Sequence, residues 1–146
     1  MLSAKPLPES AFYRPRKRYR GERLLRWLDA GEPSGASKVL GLMSRDLSVT
    51  KGQVYDWGVM GVAELSRRAG VVSIHRLGGH SASTRRIARR AGQVAVHELA
   101  HTFGLSHCPT PGCIMNDAQG GIGPVDRSSG SFCGKCDRRL GGLLRG

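Results

Sequence analysis

One stretch constrains this chain more than any other: His97-Glu98-Leu99-Ala100-His101-Thr102-Phe103-Gly104-Leu105-Ser106-His107, followed without a gap by Cys108. It closes the longest helical signal, about Thr84 to Phe103, in which Ile87, Ala91, Val94, Ala95, Leu99 and Phe103 recur every three or four residues. Histidines at i and i+4 sit one turn apart on one helix face, so His97 and His101 can reach a single ion. Glu98 lies about 100° round from His97 by helix geometry. It borders such an ion without ligating it, where a carboxylate can take a proton from water and pass it to a leaving amine. Gly104 can adopt positive φ, ending the helix and turning the chain back so that His107 arrives as third ligand. Three neutral imidazoles leave a fourth position open for water, as a hydrolytic zinc site requires. A purely structural metal has no use for Glu98.

The four cysteines, Cys108, Cys113, Cys133 and Cys136, begin where this motif ends. Four cysteines permit three disulfide pairings, and spacing does not choose among them. Two close pairs separated by a long loop also have the spacing of a four-thiolate zinc site. Cys133-Gly134-Lys135-Cys136 has a third reading as a redox motif, which wants a preceding strand and a helix N-terminus to lower a thiol pKa. The "GPVDRSSGSF" before it reads as loop. His107 and Cys108 are neighbours in sequence, so a four-thiolate metal would clamp the loop that carries the third histidine. In a chain with little core, a structural metal can do the work of apolar burial.

Composition sets the frame around these motifs. The 146 residues support one domain, and the formal charge is +12, from 23 Lys and Arg against 11 Asp and Glu. No apolar run approaches the ~18–20 residues that cross a bilayer. The Pro- and Arg-rich start has no apolar region of a secretory signal, so a reducing, cytoplasmic setting is expected, which disfavours disulfides. The charge itself points to an acidic partner, with nucleic acid as the first candidate.

Along the chain, residues 1–20 read as a basic arm and residues 21–146 as one domain. That domain divides into an N-terminal part to about residue 104 and a C-terminal part over 105–146. Gly21–Ala30 reads as a short helix with Leu24, Leu25, Trp27 and Leu28 on one side. Lys38–Met43 reads as a buried strand and Val54–Val62 as an edge strand or irregular segment. Val71–Leu77 is the clearest strand, carrying His75, and the turn after it carries His80. Serines in that turn are candidate caps for the long helix. After Met115 the chain reads as loop to Phe132, with a short last helix over "DRRLGGLL".

The motif resembles that of the metzincin metalloproteases, H-E-x-x-H-x-x-G-x-x-H followed by a methionine turn. It is more similar still to the archaemetzincin (archaelysin) branch, in which the pattern continues C-x4-C-x-M-x17-C-x-x-C. The sequence fits every one of these spacings, with Met115 two residues after Cys113 and seventeen residues lying between Met115 and Cys133. The resemblance runs from about Ala11 to Cys136, weakly before His97. It implies an α+β, zincin-like fold: a small twisted mixed β-sheet packed on an active-site helix, with a short irregular C-terminal part stapled by the four-cysteine zinc site. It implies two Zn2+ ions per chain. His97, His101 and His107 would hold a catalytic zinc, with Met115 as a hydrophobic floor beneath it. Cys108, Cys113, Cys133 and Cys136 would hold a structural zinc. The activity implied is a zinc-dependent metallopeptidase that hydrolyses peptide bonds with a zinc-bound water, Glu98 being the general base.

The expected partner is a peptide or protein substrate met by a monomer, with no membrane involved. Arg85, Arg86, Arg89 and Arg90 on the long helix either favour acidic substrate side chains or form a solvated face, the second being the ordinary role of such a run. Asn116 and Asp117 fall where metzincins build a wall of the specificity pocket. The competing function is a catalytically silent, zinc-stapled basic protein that binds nucleic acid or an acidic protein. Intact Glu98 and Gly104 weigh against it.

Overall fold

The structure is a computed structural model that describes residues 4–31, 35–79 and 81–145; His80 lies outside them. Seven short strands and four helices follow one another as β1 (Phe12–Tyr13), β2 (Arg18–Arg20), α1 (Gly21–Ala30), β3 (Val39–Met43), β4 (Leu47–Lys51), β5 (Val54–Val59), β6 (Gly61–Ala63), β7 (Ala69–Ser73), α2 (Thr84–Thr102), α3 (Ile122–Arg127) and α4 (Gly134–Leu143). The architecture is the mixed α+β one expected, but the strands form two sheets, β1-β2-β4-β5 and β3-β7-β6. Parallel pairs (β2 with β4, β3 with β7) alternate with antiparallel ones (β4 with β5, β6 with β7).

Strand β7 is the hub. All five of its residues are buried, as expected of a central strand covered on both faces. Successive side chains point to opposite faces. Val71 joins Leu24 and Leu25 of α1, Met43 and Leu47, while Val72 joins Met60, Leu77, Val94 of α2 and Val125 of α3. The second sheet is thus sandwiched between α1 and α2, and α2 is held against strands by its apolar stripe.

Among the readings of the sequence that need revision, two concern the sheets. The segment 54–62 is not one strand: it breaks at Met60, with β5 in one sheet and β6 in the other. The Met60 carbonyl accepts from Ser73 N at 2.8 Å. The basic arm over residues 1–20 is in part folded, since β1 and β2 extend the first sheet and Ala11 is fully buried. Its arginines are absorbed by pairing. Asp46 accepts from Arg18 Nε at 2.8 Å and from Arg76 Nε and Nη2 at 2.7 and 2.9 Å, and Asp56 accepts from Arg18 Nη1 at 2.8 Å. Arg20, only 2% exposed, donates to Thr50 Oγ1 at 2.7 Å and to the Tyr55 carbonyl, and stacks 4.0 Å over the Tyr55 ring. Arginine hidden in this way leaves no apolar period to read.

A candidate metal centre

The site is built from the end of α2. Ser83 caps the start of that helix, its Oγ accepting from Arg86 N at 3.3 Å. At the other end Gly104 has φ +97°, and Leu105 N and Gly104 N donate to the carbonyls of Ala100 (3.0 Å) and His101 (2.8 Å). This paired bonding is a Schellman turn, and Leu105 packs with Ala100 as such turns require. A Cβ on Gly104 would stand 2.8 Å from Ser66 Oγ, so both the backbone angle and the space call for glycine.

The turn also orients the imidazoles. His101 Nδ1 donates to the Leu105 carbonyl at 2.6 Å and His97 Nδ1 to the Ile114 carbonyl at 2.8 Å. A carbonyl only accepts, so both rings carry their proton on Nδ1 and present a bare Nε2. His101 Nε2 stands 3.0 Å from His97 Nε2 and 3.2 Å from His107 Nε2. Ligands at 2.0–2.1 Å from one tetrahedral zinc stand about 3.3 Å apart. Burial pulls the His97 pKa down to about 4 and lowers that of His101, which keeps both neutral at pH 7 as ligands must be. The donor set therefore fits zinc.

Glu98, 6% exposed, is buried beside the histidines and outside their cluster. Burial pushes its carboxyl up to about 8. It lies on β6: a Cβ on Gly61 would be 2.5 Å from Glu98 Oε1 and 2.7 Å from its Cγ. Only glycine at 61 leaves room for the carboxylate.

The four cysteines converge as well. They are free, and their Sγ atoms all lie within 4.8 Å of one another. Cys108 Sγ and Cys133 Sγ are 3.8 Å apart, the edge of a ZnS4 tetrahedron with bonds of about 2.3 Å. Cys133 occupies the N-cap position of α4, and the nearby Cys136 backbone N–H takes its thiol down to about 6. The helix half of the redox condition is thus met, but no strand precedes it and all four thiols share one point, which is the geometry of a metal site. Met115, fully buried, packs among Ala100, Leu105, Ile114 and Cys108, Cys113 and Cys136. Its carbonyl accepts from Cys108 N at 2.9 Å. Asn116 Nδ2 donates to the carbonyls of Cys108 (2.6 Å) and Thr110 (2.8 Å), pinning the loop between the two clusters.

A cleft of about 280 Å³ opens over the three histidines and Glu98. Its walls are β5 and β6, the face of α2, the 116–120 loop and the α3 segment. Asn116 and Asp117 line it as expected, and Gly61–Ala63 is a sheet edge facing it. Of the helix arginines, Arg85, Arg86 and Arg89 are exposed. Arg90 is neither solvated nor free: it is 7% exposed, bidentate to Asp126 at 2.8 and 2.6 Å, and donates to the Leu77 carbonyl at 2.6 Å. It anchors α3 to α2 and cannot serve an acidic substrate. His75 is exposed beyond the end of β7 and belongs to neither cluster. The sequence reading passed over Gln93 and Trp57, both of which line the cleft. Gln93 could have been found, since it lies four residues before His97 on the same helix face.

Comparison with known proteins returns one consistent result. The family described as Peptidase family M54 matches residues 36–141. The archaemetzincin of Methanopyrus kandleri is 37% identical over 134 residues, covering 92% of this chain and 72% of that protein. That of Thermococcus kodakarensis is 34% identical over 136 residues, covering 90% and 70%. Among solved structures, the M. kandleri archaemetzincin superposes with a TM-score of 0.83 at 35% identity, over 96% of this chain and 73% of that one. The Archaeoglobus fulgidus archaemetzincin, complexed with malonate, does so at 0.78 and 30%, over 94% and 79%.

Proposed function

The chain belongs to peptidase family M54, the archaemetzincins, and from that membership we propose that it hydrolyses peptide bonds as a zinc metallopeptidase, with Glu98 as general base. The observation that carries this reading is the meeting of three bare Nε2 atoms, a buried carboxyl one residue along and an open cleft above them. His97, His101 and His107 hold the catalytic ion, and Cys108, Cys113, Cys133 and Cys136 a structural one, two Zn2+ per chain. Zinc at the three histidines supplies Lewis acidity toward water and the scissile carbonyl. Glu98 takes the proton of the attacking water and delivers it to the departing amine, a task suited to a carboxyl whose proton affinity burial has raised. The free edge of β6 holds an extended substrate by main-chain hydrogen bonds. Gly104 and Met115 fix the loop that carries the third ligand. The substrate this cleft would take is a peptide or protein; among the described residues no helix is long and apolar enough to cross a membrane.

Metal content and cleavage of a peptide library by wild type and Glu98→Ala test this directly. Two metals in both proteins are expected, with cleavage reduced at least about a hundredfold in the variant. Cleavage that survives Glu98→Ala would refute the mechanism, and fewer than two metals in a folded preparation would refute the assignment of ligands.

A further inference from the structure

Among the described residues, three buried side-chain polar atoms have no hydrogen-bond partner: Asp56 Oδ1, Trp57 Nε1 and Gln93 Oε1. Asp56 Oδ1 at least faces a cation, with Arg20 Nη1 at 3.9 Å. The other two both line the cleft. A buried polar group left unpaired costs stability, and in a native site it marks a place where something else completes the bond.

Gln93 is the more informative of the two. It lies on α2 four residues before His97, so one helical turn away and about 6 Å along the axis, on the face that carries the metal ligands. It is 8% exposed. Its Nε2 donates to the Ser128 carbonyl at 3.3 Å, just beyond α3. A carbonyl cannot donate, so this bond fixes which end of the amide is which and leaves Oε1 as the unpaired acceptor. The neighbouring cleft wall is apolar, formed by Val94 on α2 with Pro124 and Val125 on α3. An apolar sleeve with one acceptor, a turn away from the reacting centre, is a recess for one side chain beside the scissile bond.

We propose that Gln93 is a specificity-determining residue: its Oε1 selects substrates whose side chain next to the scissile bond, on the α3 side, has an apolar stem and a neutral N–H or O–H donor at its tip. The apolar walls exclude the other donors and acceptors. A lysine or arginine tip would bury an uncompensated charge among Val94, Pro124 and Val125. A carboxylate tip would set its oxygens against that of Gln93. An aliphatic tip leaves the acceptor buried and unpaired.

The inference rests on the metallopeptidase reading of the same cleft and is tested apart from it by binding. The probes are hydroxamates, anchored by the zinc-loaded protein, each bearing one amino-acid side chain beside the chelating group in either chain direction. Carboxamide is compared with isobutyl, and 4-hydroxybenzyl with benzyl, by calorimetry. In wild type at least one donor-tipped probe should bind at least about fivefold more tightly than its apolar isostere. In Gln93→Leu and Gln93→Met that preference should vanish or reverse, while a methyl-bearing probe keeps its affinity. Wild type favouring both apolar isosteres would overturn the proposal, and so would a donor preference that survives both variants. If neither variant folds, the wild-type comparison decides alone. Hydroxamate binding without cleavage of any peptide would sink the peptidase reading and leave the selectivity standing; no hydroxamate binding at all would sink both.

Discussion

The two halves of this chain are held together by different chemistry. Before Gly104, α1, α2 and two sheets enclose aliphatic clusters, one of which also takes in Val125 of α3, and a set of arginines and carboxylates ties β2, the start of β4 and β5 to the turn after β7. After Gly104 the described residues form only two short helices, α3 and α4. The buried cluster there is Ala100, Leu105, Ile114 and Met115 with three of the four cysteines. Cysteine is small and buries little apolar area, so this cluster alone is a poor source of stability. The contrast leads to the expectation that the first half holds its shape without metal, whereas the second depends on what its thiols bind.

Metal removal is the strongest way to break that contrast, because a structural zinc contributes on the order of 10 kcal/mol to small domains. Chelation should abolish amide-exchange protection over 105–143 while β3, β7 and α1 keep theirs. Loss of protection everywhere at once would show one cooperative unit and erase the distinction. Next comes Leu47→Ala, at a fully buried position of the first cluster, which should cost about 2–5 kcal/mol in thermal unfolding of the N-terminal half. Bound metal below the transition should stay unchanged. Asn116→Ala should act in reverse: about 1–3 kcal/mol, from two carbonyls left without their donor, read as faster surrender of metal to a competing chelator.

The smallest effect is with pH. Burial alone would raise the Asp46 carboxyl, but the hydrogen bond and charge of Arg76 and the charge of Arg18 outweigh it and hold it below the usual carboxylate range. A lowered folded pKa means stability that is fully present above the unfolded value of about 3.9 and lost as pH falls through the folded one. Acid titration should therefore loosen the N-terminal half below about pH 4. Asp46→Asn should flatten that limb, and an unchanged acid profile would remove the arginine–carboxylate set from the account.

Sequence alone disclosed what is encoded by spacing. Helix α1, helix α2 and its glycine end, and both ligand clusters follow from residues at fixed separations along one chain segment. What stayed hidden depends on partners distant in sequence. Strand β4, "LSVTK", alternates over only four residues, and it buries Ser48 as well as Leu47 because Arg20 reaches that hydroxyl from β2. Helix α3 has six residues and a proline, too few for periodicity. The break at Met60 comes from the chain passing between two sheets, which a loose alternation over 54–62 does not reveal. In the site the three histidines and four cysteines that cluster were legible and Gln93 was within reach of the helix spacing, while its bond to Ser128 and the Arg90–Asp126 anchor were not. Their roles come from α3, which the sequence presents as loop.

One peptide bond joins His107 to Cys108, so a ligand of each cluster shares a single stretch of backbone that Asn116 and the Met115 carbonyl hold in place. If both clusters take metal as proposed, filling either changes the free energy of filling the other, and thermodynamic linkage makes the effect mutual. Whatever factor a metal on the thiolates would add to the hold of the three histidines on an ion, that ion would return to the thiolates. Metal occupancy would then be a shared property of the chain rather than two independent equilibria.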